Sequence, residues 1–261
     1  EWLKRYGALA AVGTPDGDHL RFGRAQVGLL DALLSTLPEA RVDALFERAR
    51  AELTGFDGIK PADEPAGFTG RLRGYQREGL GWLHFLRRLG FGGCLADDMG
   101  LGKTVQVLAL LAARRAEGFG PSLAVVPRSL VFNWKDEARR FAPALRVLDH
   151  TGTGRIPPGA HFADHDLVLT TYGTVRRDAA TLKDMTFDYV ILDEAQSIKN
   201  AATDSAKAAR LLRGEHRLAL SGTPVQNHLG ELWSLFEFLN PGLLGSAGLG
   251  RDDLLTRSRP H

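Results

Sequence analysis

The pattern of apolar and polar residues changes near Leu72. Beyond it, short runs rich in Val, Ile and Leu alternate with longer segments whose apolar residues recur at helical spacing. The short runs are GGCLADD, SLAVVP, DLVLTTY, FDYVILDE and RLALSGT, and the helical segments are TVQVLALLAARRA, SLVFNWKDEARRF and LGELWSLFEFL. Strands that are apolar on both faces and alternate with helices predict an α/β fold, a parallel sheet covered by helices on both faces.

The first 65 residues follow a different pattern. We expect a short strand pair around the turn at Asp16 and Gly17, followed by helices in VGLLDALLSTL and VDALFERARAEL. The Pro- and Gly-rich stretch GIKPADEPAGFTG then predicts a linker. This part of the chain is therefore expected to be a small, α-rich segment that precedes the sheet.

Polar clusters follow each of the five predicted strands. They are ADDMGLGKT, PRS, TTY, DEAQ and SGTP, and each begins where an apolar run ends. Parallel strands end at one edge of their sheet, and open α/β sheets bind ligands at that edge. The sequence therefore predicts a functional site assembled from several strand ends.

The cluster after the first predicted strand has the features of a phosphate-binding loop. Gly100 and Gly102 precede Lys103 and Thr104, which begin an amphipathic helix. In such a loop the backbone N–H groups cradle phosphates, the lysine reaches the outer phosphates and the threonine hydroxyl holds Mg²⁺. Asp97 stands where the usual pattern has a glycine, so the loop alone leaves an ordinary strand-to-helix turn as an alternative.

The cluster after the fourth predicted strand supplies an acidic pair, Asp193 and Glu194. In phosphoryl transfer the first carboxylate would orient Mg²⁺ and its water ligands, and the second would polarise the attacking water. A solvated acidic turn is the alternative for this pair by itself. Its occurrence in the same sheet as a Gly-Lys-Thr loop favours a nucleotide-hydrolysing site.

Composition excludes a fibrous or a disordered chain. The 261 residues are 44% hydrophobic and 25% charged, which suits a folded domain with a large core. The net charge of +2 is compatible with a nucleic-acid partner but also with many others. Cys94 is the only cysteine, so no internal disulfide forms, and its place in a predicted strand indicates packing. His161 and His165 have the spacing of half a zinc site, but no second pair accompanies them.

Several segments, taken together, resemble a known family. These segments are LRGYQREGLGWL, DDMGLGKT, LAVVPRSLVFNW, LVLTTY, LDEAQSIKN and LALSGTPVQNHLGELWSLFEFLNPGLLG. In order and spacing they resemble the Swi2/Snf2 ATPases of helicase superfamily 2, most of all the bacterial Snf2-like proteins, over about residues 68–245. The resemblance implies a RecA-like first motor lobe that uses ATP and Mg²⁺. The family's loop begins with an acidic pair, so Asp97 agrees with its pattern.

The resemblance also implies roles for individual residues. Gln76 would read the adenine edge, and Gln196 would act with a coupling segment that links hydrolysis to lobe movement. The nucleotide-binding residues would be Gln76, Asp97, Met99, Gly100, Leu101, Gly102, Lys103 and Thr104. The coupling segment would comprise Ser221, Gly222 and Thr223. The residues that track a DNA backbone would be Arg128, Ser129, Asn133, Thr170, Thr171 and Tyr172.

The expected function is that of a translocase stimulated by double-stranded DNA, which remodels or displaces DNA-bound proteins. Residues 1–65 would be the carboxyl-terminal part of an accessory region together with a linker. Residues 66–245 would form the ATP-binding lobe, and the tail 246–261 stays unassigned. The resemblance places the remaining motifs, including an arginine that assists hydrolysis, in a second lobe that this chain lacks, so the chain alone would be weakly active or inactive. A strand-separating helicase and a non-catalytic nucleotide- or DNA-binding fragment remain alternatives. We expect a cytoplasmic protein at the bacterial nucleoid without a membrane partner, and the oligomeric state stays open.

Overall fold

The computed structural model describes residues 13–16, 19–23, 26–34, 42–55, 57–223 and 229–244. The predicted tail 246–261 lies outside these residues, as do the first twelve positions of the accessory segment. Within the described part, no helix is both long and apolar enough to cross a bilayer.

The amino-terminal segment contains a hairpin and two helices, as the sequence predicts. Strands β1 (Thr14–Asp16) and β2 (His19–Arg21) pair antiparallel. They precede helix α1 (Val27–Leu34) and helix α2 (Ala44–Thr54). The Asp43 carboxylate accepts a hydrogen bond of 2.7 Å from the N–H of Phe46, which caps the start of α2.

A six-stranded parallel sheet forms the centre of the rest of the chain. Its strands are β3 (Gly93–Leu95), β4 (Ser122–Val126), β5 (Val147–Asp149), β6 (Leu167–Thr171), β7 (Thr186–Leu192) and β8 (Arg213–Leu220). Their order across the sheet is β3-β8-β7-β4-β6-β5. The predicted parallel α/β fold is confirmed. The short edge strand β5 was not predicted, because its three residues are only partly buried and lack a long apolar run.

Helices cover both faces of this sheet. They are α3 (Gly74–Leu89), α4 (Lys103–Ala116), α5 (Val131–Phe141), α6 (Tyr172–Leu182), α7 (Asp204–Leu211) and α8 (Leu229–Leu239). Successive residues of β4 point to opposite faces, so Leu123 and Val125 belong to one hydrophobic cluster while Ala124 and Val126 belong to the other. The continuous apolar runs in the sequence therefore arise from strands that are buried on both faces.

The predicted linker, residues 58–70, has no regular secondary structure, but it is packed on the lobe. The N–H of Ala62 donates to the carbonyl of Arg77 at 2.9 Å, and the Arg77 guanidinium pairs with Glu64 at 3.0 Å. Gly81 of α3 lies so close to the linker that a Cβ there would be 1.9 Å from the carbonyl oxygen of Lys60. Only a glycine permits this approach of α3 to the linker backbone.

A buried ion pair joins α4 to β7. The Arg114 guanidinium donates two hydrogen bonds to the Asp188 carboxylate, the one from Nε being 2.7 Å long. Both residues are less than a tenth exposed. Since a buried charge is costly without a partner, each of these residues depends on the other.

Candidate functional site

The phosphate loop connects the end of β3 to the start of α4. Gly100 and Gly102 have φ angles of 84° and 76°, in the left-handed region that glycine adopts without a steric penalty. A Cβ on Gly102 would also lie 2.6 Å from Nε2 of Gln76. The loop leads directly into the first turn of α4, where unpaired N–H groups and the helix dipole favour an anion. The local geometry is that of a phosphate-binding loop.

Lys103 and Asp97 both form contacts within this loop. The Lys103 ammonium donates to the carbonyl oxygens of Asp97 and Asp98 at 2.6 and 3.1 Å. The Asp97 carboxylate accepts a 2.9 Å hydrogen bond from the amide of Gln106, which is fully buried. In this structure Asp97 therefore stabilises the shape of the loop, and its contact with a nucleotide stays a prediction.

Gln106 was missed in the sequence. The available signal was a polar residue within the apolar run VQVLALL of α4. Its side chain also requires Gly79 on the neighbouring helix α3, where a Cβ would lie 1.9 Å from the Gln106 amide oxygen. The position of the loop thus depends on close packing between α3 and α4.

Gln76 lies at the start of α3, against the phosphate loop. Its amide nitrogen donates to the carbonyl of Leu101 at 3.0 Å, and its amide oxygen accepts from the N–H of Arg73 at 2.9 Å. The neighbouring Tyr75 hydroxyl donates to the same Leu101 carbonyl at 2.9 Å. Gln76 therefore links the predicted adenine side of the site to the phosphate loop. Its adenine contact stays a prediction.

Asp193 follows the last residue of β7 and is buried. Its Oδ2 accepts a 2.8 Å hydrogen bond from the indole N–H of Trp134, and its Oδ1 accepts a 2.9 Å bond from the N–H of Glu194. Burial raises the pKa of Asp193 above its ordinary value, although these two donors and the nearby Lys103 ammonium lower it. The Lys103 ammonium of the phosphate loop is therefore near enough to Asp193 to act on its charge.

Glu194 has an unusual backbone conformation. Its φ and ψ angles of 48° and 56° lie in the left-handed region, and it is the only non-glycine residue with a positive φ in the described ranges. Such a conformation costs a residue with a Cβ about 1–2 kcal/mol. Glu194 precedes a short helical turn at Ala195–Ile198, and its carbonyl accepts a 3.0 Å hydrogen bond from the N–H of Ser197.

A chain of hydrogen bonds joins Glu194 to the predicted coupling segment. The Gln196 amide nitrogen donates to the Glu194 carboxylate at 2.5 Å, and the Gln196 amide oxygen accepts from the Ser221 hydroxyl at 3.1 Å. The N–H of Thr223 then donates to the Ser221 oxygen at 3.1 Å. The expected contact between Gln196 and this segment is present, whereas its role in coupling stays a prediction.

Gly222 brings the coupling segment next to the phosphate loop. A Cβ on Gly222 would lie 3.3 Å from Cγ and 3.8 Å from the backbone nitrogen of Met99, so the two segments are in contact. Met99 itself is 80% exposed. Because the strand ends of β3, β7 and β8 lie side by side, the phosphate loop, the acidic pair and the coupling segment form one continuous site.

The predicted DNA-binding residues divide into exposed and buried groups. Arg128 and Ser129, in the helical turn before α5, and Asn133, in the first turn of α5, are exposed. Thr170, in contrast, is fully buried within β6. Its side chain does not reach the surface of the lobe, and its contact with a DNA phosphate stays a prediction. The stretch TTY ends a strand, and sequence alone did not show which of its residues is still inside.

Thr171 and Tyr172 make contacts within the lobe. The Thr171 hydroxyl accepts a 3.2 Å hydrogen bond from the N–H of Thr174 and caps α6. The Tyr172 hydroxyl donates to the backbone carbonyl of Asp193 at 2.7 Å, and burial raises its pKa. Thr171 also lines an open groove of about 320 Å³. We call this surface the groove. Its residues are Arg128, Val131, Phe132, Lys135, Asp149, Thr151, Gly152 and Thr171.

Cys94 is half-buried, and His165 is held by a neighbouring backbone group. Burial raises the pKa of the Cys94 thiol to about 11, so it is protonated and unreactive near neutral pH. His165 donates from Nδ1 to the carbonyl of His161 at 2.9 Å, within a helical turn. Across the described residues, no group of three or more His, Cys, Asp or Glu side chains could hold a metal.

The parallel sheet, the phosphate loop and the acidic pair at one sheet edge define a RecA-like nucleotide-binding lobe. A family model described as the SNF2-related domain matches residues 75–253, and the chain belongs to this family. The Swi2/Snf2 resemblance in the sequence is thereby confirmed.

Relatives of the chain come from bacteria, archaea and eukaryotes. YwqA of Bacillus subtilis, assigned as an ATP-dependent helicase/translocase, is 47% identical over 201 residues, which is 75% of this chain and 22% of the relative. The TATA-binding protein-associated factor MOT1 of Saccharomyces cerevisiae is 40% identical over 202 residues, 72% of this chain and 11% of the relative. The solved Sulfolobus solfataricus SWI2/SNF2 ATPase core in complex with dsDNA is 39% identical, with a TM-score of 0.69. That match covers 78% of this chain and 43% of the other, so the chain spans less than half of each of these relatives.

Proposed function

We propose that this chain is the first ATPase lobe of a translocase that is stimulated by double-stranded DNA and displaces or remodels DNA-bound proteins. The observation that carries the proposal is the continuous site formed by the phosphate loop, the acidic pair and the coupling segment. Arg128 and Thr171 of the groove have side chains that could bind phosphates. The similar archaeal core was solved with dsDNA. MOT1 is named as a factor associated with the TATA-binding protein, which supports protein partners on DNA.

ATP and Mg²⁺ are the proposed cofactors. Lys103 and the N–H groups of the phosphate loop would hold the phosphates, while Thr104 and Asp193 would hold Mg²⁺. These donors fit the ion, because Mg²⁺ prefers oxygen ligands and is held by one or two carboxylates together with substrate phosphates. When bound, Mg²⁺ would neutralise charge on the phosphates.

Glu194 is the proposed water-polarising residue. Its carboxylate is already oriented by Gln196, so the hydrogen-bond chain that holds it continues to Ser221. A shift of the coupling segment would change the position of Glu194 directly. This contact provides a physical route by which movement of the lobes and hydrolysis can depend on each other.

The DNA contacts are proposed to be contacts with phosphates. Arg128, Ser129 and Asn133 are exposed, and Thr171 lies at the groove surface. Guanidinium, hydroxyl and amide groups bind phosphate oxygens without reading the base sequence. Duplex affinity should therefore fall steeply as salt rises and vary little with DNA sequence.

The proposal is tested in the intact protein by measuring ATP hydrolysis with and without duplex DNA. We expect stimulation by duplex, displacement of a protein block or of a triplex-forming third strand, and no separation of the duplex strands. Lys103→Ala should abolish or strongly weaken nucleotide binding. An arginine supplied from elsewhere is worth roughly 10³- to 10⁵-fold in turnover in related reactions, so this chain alone should hydrolyse ATP poorly.

Two results would contradict the proposal. Separation of duplex strands by the intact protein would identify a helicase instead of a translocase. Full turnover by this chain alone would show that no second lobe takes part in hydrolysis.

A further inference from the structure

Asp193 accepts hydrogen bonds from two aromatic side chains on different helices, one at its carboxylate and one at its backbone carbonyl. The indole N–H of Trp134, on α5, donates to its carboxylate oxygen Oδ2 at 2.8 Å. The hydroxyl of Tyr172, at the start of α6, donates to its backbone carbonyl at 2.7 Å. Trp134 is 1% exposed, so this hydrogen bond is shielded from competing water. A small displacement of either helix must therefore change the position of Asp193.

Both ring donors are adjacent in sequence to residues at the groove. On α5, Phe132 and Lys135 line the groove and Phe132 is 69% exposed, whereas Trp134, which directly precedes Lys135, points inward to Asp193. Successive residues of a helix are rotated by about 100°, so one short helix presents an outer and an inner face within three positions. Thr171 lines the groove, and Tyr172 follows it.

The groove and the acidic pair are thus joined by two short, direct connections. A ligand on the outer face of α5 would contact the helix that carries Trp134, and a ligand at the β6-α6 corner would contact the residue before Tyr172. Both of these side chains bond to Asp193. Neither connection passes through the phosphate loop or the coupling segment. The chain from Glu194 to Ser221 is a separate route, because it reaches the site through β8.

We propose that Trp134 and Tyr172 are positioning residues that couple duplex occupancy of the groove to the placement of the Asp193 carboxylate. The inference rests on the proposed function, since it takes duplex DNA as the ligand of the groove and Mg²⁺ with ATP as the ligand of Asp193. Binding at one site changes affinity at the other when an element interacts with both ligands. Helix α5 and the β6-α6 corner both line the groove and hold Asp193, so they are placed to do this.

The test is a binding cycle on the intact protein with Trp134→Phe, which keeps an aromatic ring and removes the indole donor. A fluorescent, non-hydrolysable ATP analogue is titrated with Mg²⁺ in the absence and presence of a saturating duplex. The same titration in EDTA, and a duplex titration without nucleotide, isolate the separate sites. The ratio of the two Mg²⁺-nucleotide dissociation constants is the coupling factor, and duplex affinity must change by the same factor when nucleotide is added.

In the unmodified protein we expect the duplex to tighten Mg²⁺-nucleotide binding. In Trp134→Phe the coupling factor should fall to near one, and Mg²⁺-dependent affinity should weaken by about 10- to 100-fold, as is typical when a partner of a metal ligand is removed. Nucleotide affinity in EDTA and duplex affinity without nucleotide should not change. A merely structural role would lower these two affinities as well.

Trp233→Phe is the matched control. Its indole nitrogen is buried without a hydrogen-bond partner in the structure, so the same substitution there should leave the coupling factor unchanged. Tyr172→Phe removes a single hydroxyl group from the second connection and should also reduce the coupling factor. This variant decides the question if Trp134→Phe does not fold.

The inference is overturned if either folded variant keeps the full coupling factor. It is also overturned if the unmodified protein shows no coupling between duplex and Mg²⁺-nucleotide. In that case DNA-stimulated hydrolysis, measured separately, decides whether the proposed function stands.

Discussion

Replacing Glu194 by glutamine isolates the chemistry of one carboxylate from the structure around it. The substitution exchanges one oxygen for an amino group and leaves the side-chain length unchanged. Glutamine pays the same backbone cost as glutamate at φ 48° and ψ 56°, because both have an unbranched Cβ. Its amide oxygen can still accept the hydrogen bond that Gln196 donates. Stability should therefore change by less than about 0.5 kcal/mol.

The expected effect on turnover is much larger. A positioned general base contributes roughly 10²- to 10⁴-fold, so ATP hydrolysis by Glu194→Gln should fall by a factor in that range. Nucleotide binding should be retained, because the phosphates are held by the phosphate loop and Lys103. The selective loss of turnover is the signature of a group that acts on the attacking water and not on binding.

The assay compares phosphate release and nucleotide affinity in the intact protein, with thermal unfolding as a check on structure. Glu215→Gln is the matched control, since Glu215 is exposed near the start of β8, at the opposite end of that strand from Ser221. Its turnover should equal that of the unmodified protein. Normal hydrolysis by Glu194→Gln would refute the water-polarising role, and a large loss of stability would refute the argument from backbone geometry.

Two further predictions concern packing and can be checked by denaturant unfolding. Gly81→Ala should destabilise the lobe by about 1–3 kcal/mol because its Cβ would overlap the linker carbonyl, whereas Gly74→Ala, on the same helix with open space, should gain up to about 1 kcal/mol. Equal stabilities would show that the linker does not pack on α3. Asp188→Asn should cost about 3 kcal/mol or more, because it removes the buried carboxylate that pairs with Arg114 and leaves that guanidinium only the more exposed Glu117 as an anionic partner. The same change at exposed Asp136 should cost less than about 0.5 kcal/mol. A cost at Asp188 no larger than at Asp136 would show that the buried pair adds no stability.

The fold was largely predictable because buried strands and helix faces have a characteristic pattern of apolar residues in the sequence. Strands buried on both faces must be apolar at every position, and their polar ends then identify one edge of the sheet. The prediction failed where that pattern is weak. Strand β5 is short and lies at the sheet edge, and the TTY stretch does not show that Thr170 is still inside the strand.

The site was predictable in its parts but not in its contacts. The Gly-Lys-Thr loop and the acidic pair can be recognised in the sequence because phosphate binding and hydrolysis need those groups at strand ends. Asp97 was the ambiguous residue. The family pattern accounted for its presence, but its partner Gln106 became visible only when α3 and α4 were packed together.

By itself, the sequence determined the parallel sheet, the edge that carries the polar clusters and the chemical groups in those clusters, because these depend on local residue types and their periodicity. Only the tertiary structure decided how the groups are held. The hydrogen bond from Trp134 to Asp193, 59 positions away, and the link from Gln196 to Ser221 join residues that are distant along the chain. Such contacts leave no periodic signal, since they arise from the crossing of separate elements, and those elements meet only after the sheet has formed.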